Sequence, residues 1–130
     1  MATILLIDDG DKMRMLGKID LESAGYRFVS AASGRHGLRI LEHQEVDLIL
    51  VNIFMPDMDS VELIQALRTT RPATKIIAIT TRKGLRNFID MAKHLGADDT
   101  LEKPFTRQEL LSVIALQLGQ PNPTLLSEDR

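Results

Sequence analysis

DLILVNIFMPDMDS, residues 47–60, decides the fold because it joins the most apolar run of the chain to a polar turn. Leu48 to Val51 form a short continuous apolar run with turn signals just beyond it, which predicts a strand buried on both faces. Such strands belong to parallel sheets, where ligands bind past the carboxyl ends of the strands, at the point where the strand order reverses. Asn52 stands at that end of the strand, so we expect the functional site to surround it.

The segments on either side continue this pattern of strands and helices. Four further runs have the composition and length of strands: Thr3 to Ile7, Arg27 to Ala31, Lys75 to Ile79 and Asp98 to Glu102. Helical spacing of apolar residues fills the intervals between strands and follows the last one. Five strands that alternate with five helices predict an α/β fold, a doubly wound five-stranded parallel sheet of order 2-1-3-4-5 with helices on both faces.

Capping signals and apolar stripes define the predicted helices. Ser33 can cap the second helix, and two capping boxes open the third and fifth helices: Asp59 with Glu62, and Thr106 with Glu109. The first helix carries a stripe weakened by Gly17 and Asp20 near the same face: Met13, Leu16, Leu21 and Ala24. The fourth helix has the clearest stripe and ends at Gly96: Leu85, Phe88, Ile89, Ala92 and Leu95.

Length and composition bound the possible functions. The 130 residues fit one domain, expected over residues 1–119, with 120–130 as a flexible tail or the start of a linker. A formal charge of −2 lacks the basic excess of nucleic-acid binders, so we expect no DNA contact. The absence of cysteine excludes disulfides, thiolate metal sites and thiol catalysis. Without a signal-peptide pattern or a membrane-length apolar run, we expect a cytoplasmic protein that does not enter a membrane.

Polar residues end four of the five predicted strands at one edge of the sheet. In the order 2-1-3-4-5, the reversal lies beside strands one and three. The residues expected around it are Asp8, Asp9, Asn52, Thr80 and Lys103. Carboxylate and amide oxygens suit Mg²⁺, whereas lysine and threonine suit the oxygens of a phosphoryl group.

Four motifs in this order, LLIDD, LVNIFMPDMDS, IIAITT and LEKPF, resemble the motif series of bacterial two-component response-regulator receiver domains of the chemotaxis-regulator kind. The resemblance runs from about Thr3 to Leu118. It implies a module that accepts a phosphoryl group from a kinase histidine onto an aspartate at the end of the third strand. That position is Asn52 in this chain.

The resemblance also implies roles for the surrounding residues. Asp8 and Asp9 resemble the acidic Mg²⁺ pair, joined by residue 52 and by the backbone carbonyl of Phe54. Thr80 resembles the switch hydroxyl and Lys103 the phosphate-binding lysine, followed by a cis bond to Pro104. The partners implied are a histidine kinase or phosphotransfer protein and a downstream effector protein that binds the face formed by helix 4, strand 5 and helix 5. The domain itself would be a monomer or weak dimer, and not an enzyme.

Three residues depart from the family pattern. A carboxamide has no anionic oxygen to attack phosphorus, so Asn52 cannot form the acyl phosphate, and Mg²⁺ binding is expected to be weak or absent. Thr100 stands where the family commonly has an aromatic switch residue, and Ser60 replaces a usual glycine. Asn52 could be native, giving a pseudo-receiver, or an engineered Asp→Asn change. The other two departures favour natural divergence.

Two other families share some of these features. Asp9, Gly10 and Asp11 resemble the DxD signature of haloacid-dehalogenase-type phosphatases, but Met13 stands where threonine or valine is usual, and a substrate cap needs a longer chain. A flavodoxin-like flavin binder shares the topology but needs a phosphate loop after strand one, where this chain has acidic residues that repel phosphate. Flavin colour or the release of phosphate from an ester would identify either alternative.

Overall fold

The structure, a computed structural model, describes residues 1–80 and 86–121. Five strands form one sheet: β1 (Thr3–Ile7), β2 (Arg27–Ala31), β3 (Leu48–Asn52), β4 (Lys75–Thr80) and β5 (Asp99–Glu102). Five helices alternate with them: α1 (Asp11–Ser23), α2 (Gly34–His43), α3 (Ser60–Thr70), α4 (Arg86–Leu95) and α5 (Arg107–Leu118). All neighbouring strands are parallel and their order is β2-β1-β3-β4-β5, as predicted.

Strand β3 lies at the centre of the sheet and is buried along its whole length. Alternation along the strand sends Ile49 and Val51 into the core cluster beneath α2, α3 and α4. Leu48 and Leu50 enter the second cluster, beneath α1 and α5. A strand that contributes to two cores needs apolar side chains at every position, which is why residues 48–51 form a continuous apolar run.

The predicted buried face of α1 is wrong at one position. Leu16 is 43% exposed, whereas Gly17 and Leu21 are buried. A Cβ added at Gly17 would lie 2.9 Å from Cδ2 of Leu6 and 3.4 Å from Cε1 of Phe28. The missing side chain therefore lets α1 approach the sheet closely, which rotates Leu16 away from the core.

Two of the three predicted caps are confirmed and one is wrong. Oγ of Ser33 accepts a hydrogen bond from the amide of His36, and Thr106 with Glu109 forms a complete capping box. At α3, the side chain of Asp59 makes no capping bond. Asp59 is exposed, so water can satisfy both its carboxylate and the first amides of the helix.

Asp57 takes a capping role that the sequence analysis did not assign. Its carboxylate accepts hydrogen bonds of 3.2 Å from the amides of Gly34 and Arg35, at the beginning of α2. The negative charge is favourable there because the amino end of a helix carries a partial positive charge. The turn after β3 is thereby joined to α2.

Parts of two predicted elements lie outside the described residues. For α4 these are Leu85 and the side chains of Phe88 and Ile89, whereas Ala92 is buried. Helix α5 ends at Gly119, which has a φ of 68°, and the tail predicted from residue 120 is described only as far as Pro121. No helix in the described parts of the chain is long and apolar enough to cross a membrane.

Candidate functional site

An open cavity of about 840 Å³ lies at the carboxyl edge of the sheet, beside β1 and β3. Its polar lining includes four residues that the sequence predicted to meet there: Asp8, Asp9, Asn52 and Lys103. Phe54, from the turn after β3, also lines it. The cavity therefore lies where the order of a doubly wound sheet reverses, because β1 has β2 on one side and β3 on the other.

Asp8 is the most deeply buried charged group of the site, with 1% of its surface exposed. Its Oδ2 accepts a 2.8 Å hydrogen bond from Nζ of Lys103, and its Oδ1 accepts one of 2.8 Å from the amide of Gly10. The backbone of Asp8 is also held, since its carbonyl accepts a 2.7 Å bond from the guanidinium of Arg14. Both carboxylate oxygens are thus paired, as the burial of a charge requires.

Asn52 ends β3 and its side chain is buried. Oδ1 accepts a 2.9 Å hydrogen bond from the amide of Phe54, two residues further along the turn. Nδ2 lies 3.4 Å from Oδ1 of Asp9 and donates to it, which is a long hydrogen bond. The carboxamide therefore connects the β3 turn to the acidic loop after β1, and it presents an N–H group to that loop.

Thr80 and Thr100 are not among the residues that line this cavity. Alternation along β4 groups Thr80 with Ala78, which packs beneath α2, α3 and α4, whereas Asn52 is in register with Ile79 on the opposite face. The Thr80 hydroxyl is buried and has no hydrogen-bond partner among the residues that the structure describes. Thr100 is in register with Ala78, two residues before the end of β5.

The residues at the cavity fit a divalent cation poorly. Asp8 already binds Lys103, and Asp9 accepts a hydrogen bond from Asn52. Within residues 1–80 and 86–121, no three histidine or acidic side chains are grouped so that they could hold a metal ion. Hard cations need several oxygen ligands, and the amide N–H of Asn52 offers the wrong charge to such an ion.

The profile of the response regulator receiver domain matches residues 4–115, which is most of the chain. This chain belongs to the response regulator receiver domain family. The match explains the shared strand order and the collection of Asp8, Asp9 and Lys103 at one edge of the sheet. It also favours a receiver domain over the phosphatase and the flavin binder considered from the sequence, and receiver domains are signalling modules of two-component systems.

Several relatives show where such receiver domains occur. The chain is 34% identical to a probable chemotaxis protein CheY of Rhizobium etli over 89% of this chain and 92% of that protein. It is 37% identical to a segment of the sensor kinase CckA of Brucella abortus, over 87% of this chain but 12% of that protein. The CheY-like receiver domain protein of Methanospirillum hungatei has a similar structure, with a TM-score of 0.85, 32% identity and 92% and 94% coverage of the two chains.

Sequence reasoning missed the apolar half of the cavity of this receiver domain. Its walls come from α1 and from the start of α5 together with the loop before it: Met13, Leu16, Gly17, Pro104, Phe105 and Leu110. The available signal was the adjacency of Pro104 and Phe105 to Lys103. The glycine in the stripe of α1 was the second signal, because a glycine among buried positions marks a close approach of the backbone.

Proposed function

We propose that this receiver domain signals by binding partner proteins and is not phosphorylated at position 52. The observation that carries the proposal is the carboxamide of Asn52, at the end of β3, where the family resemblance expects an aspartate. A carboxamide has no anionic oxygen to attack phosphorus, so it forms no acyl phosphate. The domain then performs no covalent step, and we infer that it is not an enzyme.

The hydrogen bonds around Asn52 support a resting site that needs no phosphoryl group. Lys103, which resembles the phosphate-binding lysine of the family, is paired with Asp8 at 2.8 Å. Asn52 satisfies the amide of Phe54 and donates to Asp9. We infer that these hydrogen bonds hold together the carboxyl ends of β1, β3 and β5. In a phosphorylated receiver domain, the phosphoryl group and its ligands would make such a connection only while the group is bound.

The two proposed switch positions also support a domain that does not respond to phosphorylation. Thr80 has its hydroxyl buried on the face of β4 opposite to Asn52, away from the lining of the cavity. Thr100 is a small residue at the position where the family commonly has an aromatic side chain. We infer that Thr80 and Thr100 keep their places in the sheet without carrying a signal.

Receiver domains commonly bind Mg²⁺. In this chain the ligands proposed from the resemblance are Asp8, Asp9, the side chain of Asn52 and the backbone of Phe54. We propose that binding is weak, because a metal ion must displace Lys103 from Asp8 and turn the amide of Asn52. A carboxamide also supplies less negative charge to a hard cation than a carboxylate does.

Receiver domains interact with histidine kinases and effector domains. We propose that the effector protein binds the face of α4, β5 and α5, and that the domain itself contacts neither DNA nor membrane. Strand β5 is at the edge of the sheet, and α5 carries an exposed apolar residue, Leu116, which is 71% exposed. The proposed receiver domain spans residues 1–119, and residues 120–130 form a tail or linker.

Incubation with acetyl phosphate and Mg²⁺, followed by intact-mass spectrometry, tests the proposal. The unchanged chain should gain no phosphoryl mass, whereas Asn52→Asp should gain one, because it restores an anionic nucleophile beside Asp9 and Lys103. Asn52→Ala is the matched control and should gain none. A phosphorylated unchanged chain would refute the proposal, and a variant Asn52→Asp that stays unmodified would show that the other groups are not arranged for phosphoryl transfer.

A further inference from the structure

Helix α1 exposes three large apolar residues, and two of them, Met15 and Ile19, lie in the middle of its solvent face, whereas Leu16 lies to one side. Met15 is 58% exposed and Ile19 is 57% exposed. They are four residues apart, so they lie one above the other on the same side of the helix. This side is opposite to Gly17 and Leu21, which pack against the sheet.

The same face continues to a cation at one end and an anion at the other. Lys12 lies three residues before Met15, and Glu22 lies three residues after Ile19; both are exposed. The spacing of these four residues is three, four and three, which is the a and d pattern of a helix-pairing seam. We call Lys12, Met15, Ile19 and Glu22 the α1 seam.

From this arrangement, we propose that the α1 seam pairs with the same seam of a second copy of this chain. An antiparallel pair whose two-fold axis passes between the two seams, level with position 17 along each helix, places Met15 opposite Ile19 of the other copy. The same register places Lys12 opposite Glu22 of the other copy, because both pairs are centred on position 17. The seam is therefore complementary to itself in both apolar contact and charge.

Glu22 already makes an ion pair, but that pair is weak enough to leave the carboxylate available for a second copy. Nζ of Lys18 lies 3.8 Å from the Glu22 carboxylate, and both side chains are well exposed. Exposed pairs at this distance contribute little, so Lys12 of a second copy can compete for the carboxylate. Lys12 is a cation near the partially positive N-terminal end of α1, and Glu22 is an anion near its partially negative C-terminal end, so both charges are unfavourably placed. An antiparallel partner brings an opposite charge to each of them.

The size of the seam predicts a weak dimer. Four side chains from each copy cover far less than the roughly 800 Å² per partner that a stable interface buries. Association should therefore be visible only at high protein concentration. The surface also differs from the α4, β5 and α5 face, so the two can be tested separately.

Sedimentation velocity over protein concentrations up to about 1 mM tests the proposal. The unchanged chain should associate as its concentration rises. Ile19→Glu or Met15→Glu should raise the dissociation constant by about tenfold or more, because each substitution places a carboxylate against an apolar side chain in the dimer. Leu116→Glu is the control, because it changes an exposed apolar residue on a different helix, α5, and it should leave association unchanged. Two apolar positions are included so that one variant that fails to fold does not decide the result.

Charge exchange tests the register. Lys12→Glu should weaken association because it places two carboxylates opposite each other, and the double variant Lys12→Glu/Glu22→Lys should restore it. The chain has no cysteine, so Met15→Cys mixed with Ile19→Cys offers a second readout: mild oxidation should link the two different variants faster than either links to itself.

The proposal is wrong if the unchanged chain remains monomeric throughout, or if Ile19→Glu and Met15→Glu associate as the unchanged chain does. It is also wrong if Leu116→Glu abolishes association, which would assign the contact to the α5 face. A monomeric chain whose seam variants lose binding to a histidine kinase would show that the seam serves the kinase instead.

Discussion

Nζ of Lys103 lies 2.8 Å from Oδ2 of Asp8, joining two residues that are 95 positions apart in the chain. The carboxylate is almost fully buried, whereas the lysine side chain keeps a quarter of its surface in solvent. A partly exposed cation therefore neutralises a buried anion, and it holds the loop before α5 against the end of β1. This ion pair allows the carboxylate of Asp8 to be buried at the end of β1.

Replacing the cation should destabilise the fold. We expect Lys103→Met to lower the free energy of unfolding at neutral pH by about 2 kcal/mol, because Asp8 then keeps a buried charge with only the Gly10 amide as its partner. Urea unfolding measures the change. Lys75→Met is the control at an exposed lysine and should change stability by less than about 0.5 kcal/mol. Adding Asp8→Asn to Lys103→Met should recover part of the loss, and a purely additive double variant would contradict the pairing.

The substitution Asn52→Asp should also destabilise the protein when Mg²⁺ is absent. It replaces the N–H group that faces Asp9 at 3.4 Å by a carboxylate oxygen, so two like charges meet. We expect a loss of about 1 kcal/mol in the free energy of unfolding, measured in urea with a chelator present. Millimolar Mg²⁺ should reverse the ranking of the two proteins, because the added carboxylate is a better ligand and a metal ion stabilises the state that binds it.

The control for this experiment is Asn52→Ala, which removes both the amide and the ligand oxygen. It should respond to Mg²⁺ no more than the unchanged chain does. If Asn52→Asp and the unchanged chain gain equal stability from Mg²⁺, residue 52 is not a metal ligand.

Three glycines should form a graded series on substitution by alanine. A Cβ would lie 2.5 Å from Ile7 at Gly37, 2.9 Å from Leu6 at Gly17 and 3.1 Å from Leu63 at Gly34. Alanine gains about 1 kcal/mol of helix propensity within a helix, whereas overpacking costs about 1–3 kcal/mol. We therefore expect Gly37→Ala to destabilise most, Gly17→Ala less and Gly34→Ala least, as measured by thermal or urea unfolding. A reversed order would show that the neighbouring side chains move freely.

The single tyrosine of the chain allows a direct pH measurement. Tyr26 is buried and its hydroxyl donates a 3.0 Å hydrogen bond to Oε1 of Gln120. Burial raises the pKa of Tyr26 above its ordinary value of 10.0, because the charged form is poorly solvated. The folded state therefore holds this proton more tightly than the unfolded state. Its contribution to stability is complete below pH 10.0 and is lost as the pH rises through the folded pKa.

An absorbance titration of tyrosinate checks this prediction without interference from tryptophan, which the chain lacks. The midpoint should lie above 10.0 in the folded protein and return to the ordinary value in concentrated urea. Equal midpoints in the two solvents would show that the phenol is not buried in solution.

Local patterns were sufficient to predict the order and type of all ten elements, because each depends on the spacing of apolar residues and on nearby capping groups. The capping box of Thr106 and Glu109 is an example, since both of its hydrogen bonds close within three residues. Asp59 shows the limit of this reasoning. The sequence pattern indicates that the Asp59 carboxylate can cap α3. It does not indicate whether water binds the carboxylate and the first amides of the helix instead.

The sequence by itself determined the succession of strands and helices, the central position of residues 48–52 and the chemistry of a carboxamide at Asn52. These depend on covalent identity and short-range periodicity. Only the tertiary structure decided that Lys103 meets Asp8, that Thr80 lies on the opposite face from Asn52, and that α1 turns Ile19 outward. Periodicity defines the faces of an element, but close contact at Gly17 and strand pairing decide which neighbour each face meets, because both depend on residues distant in sequence.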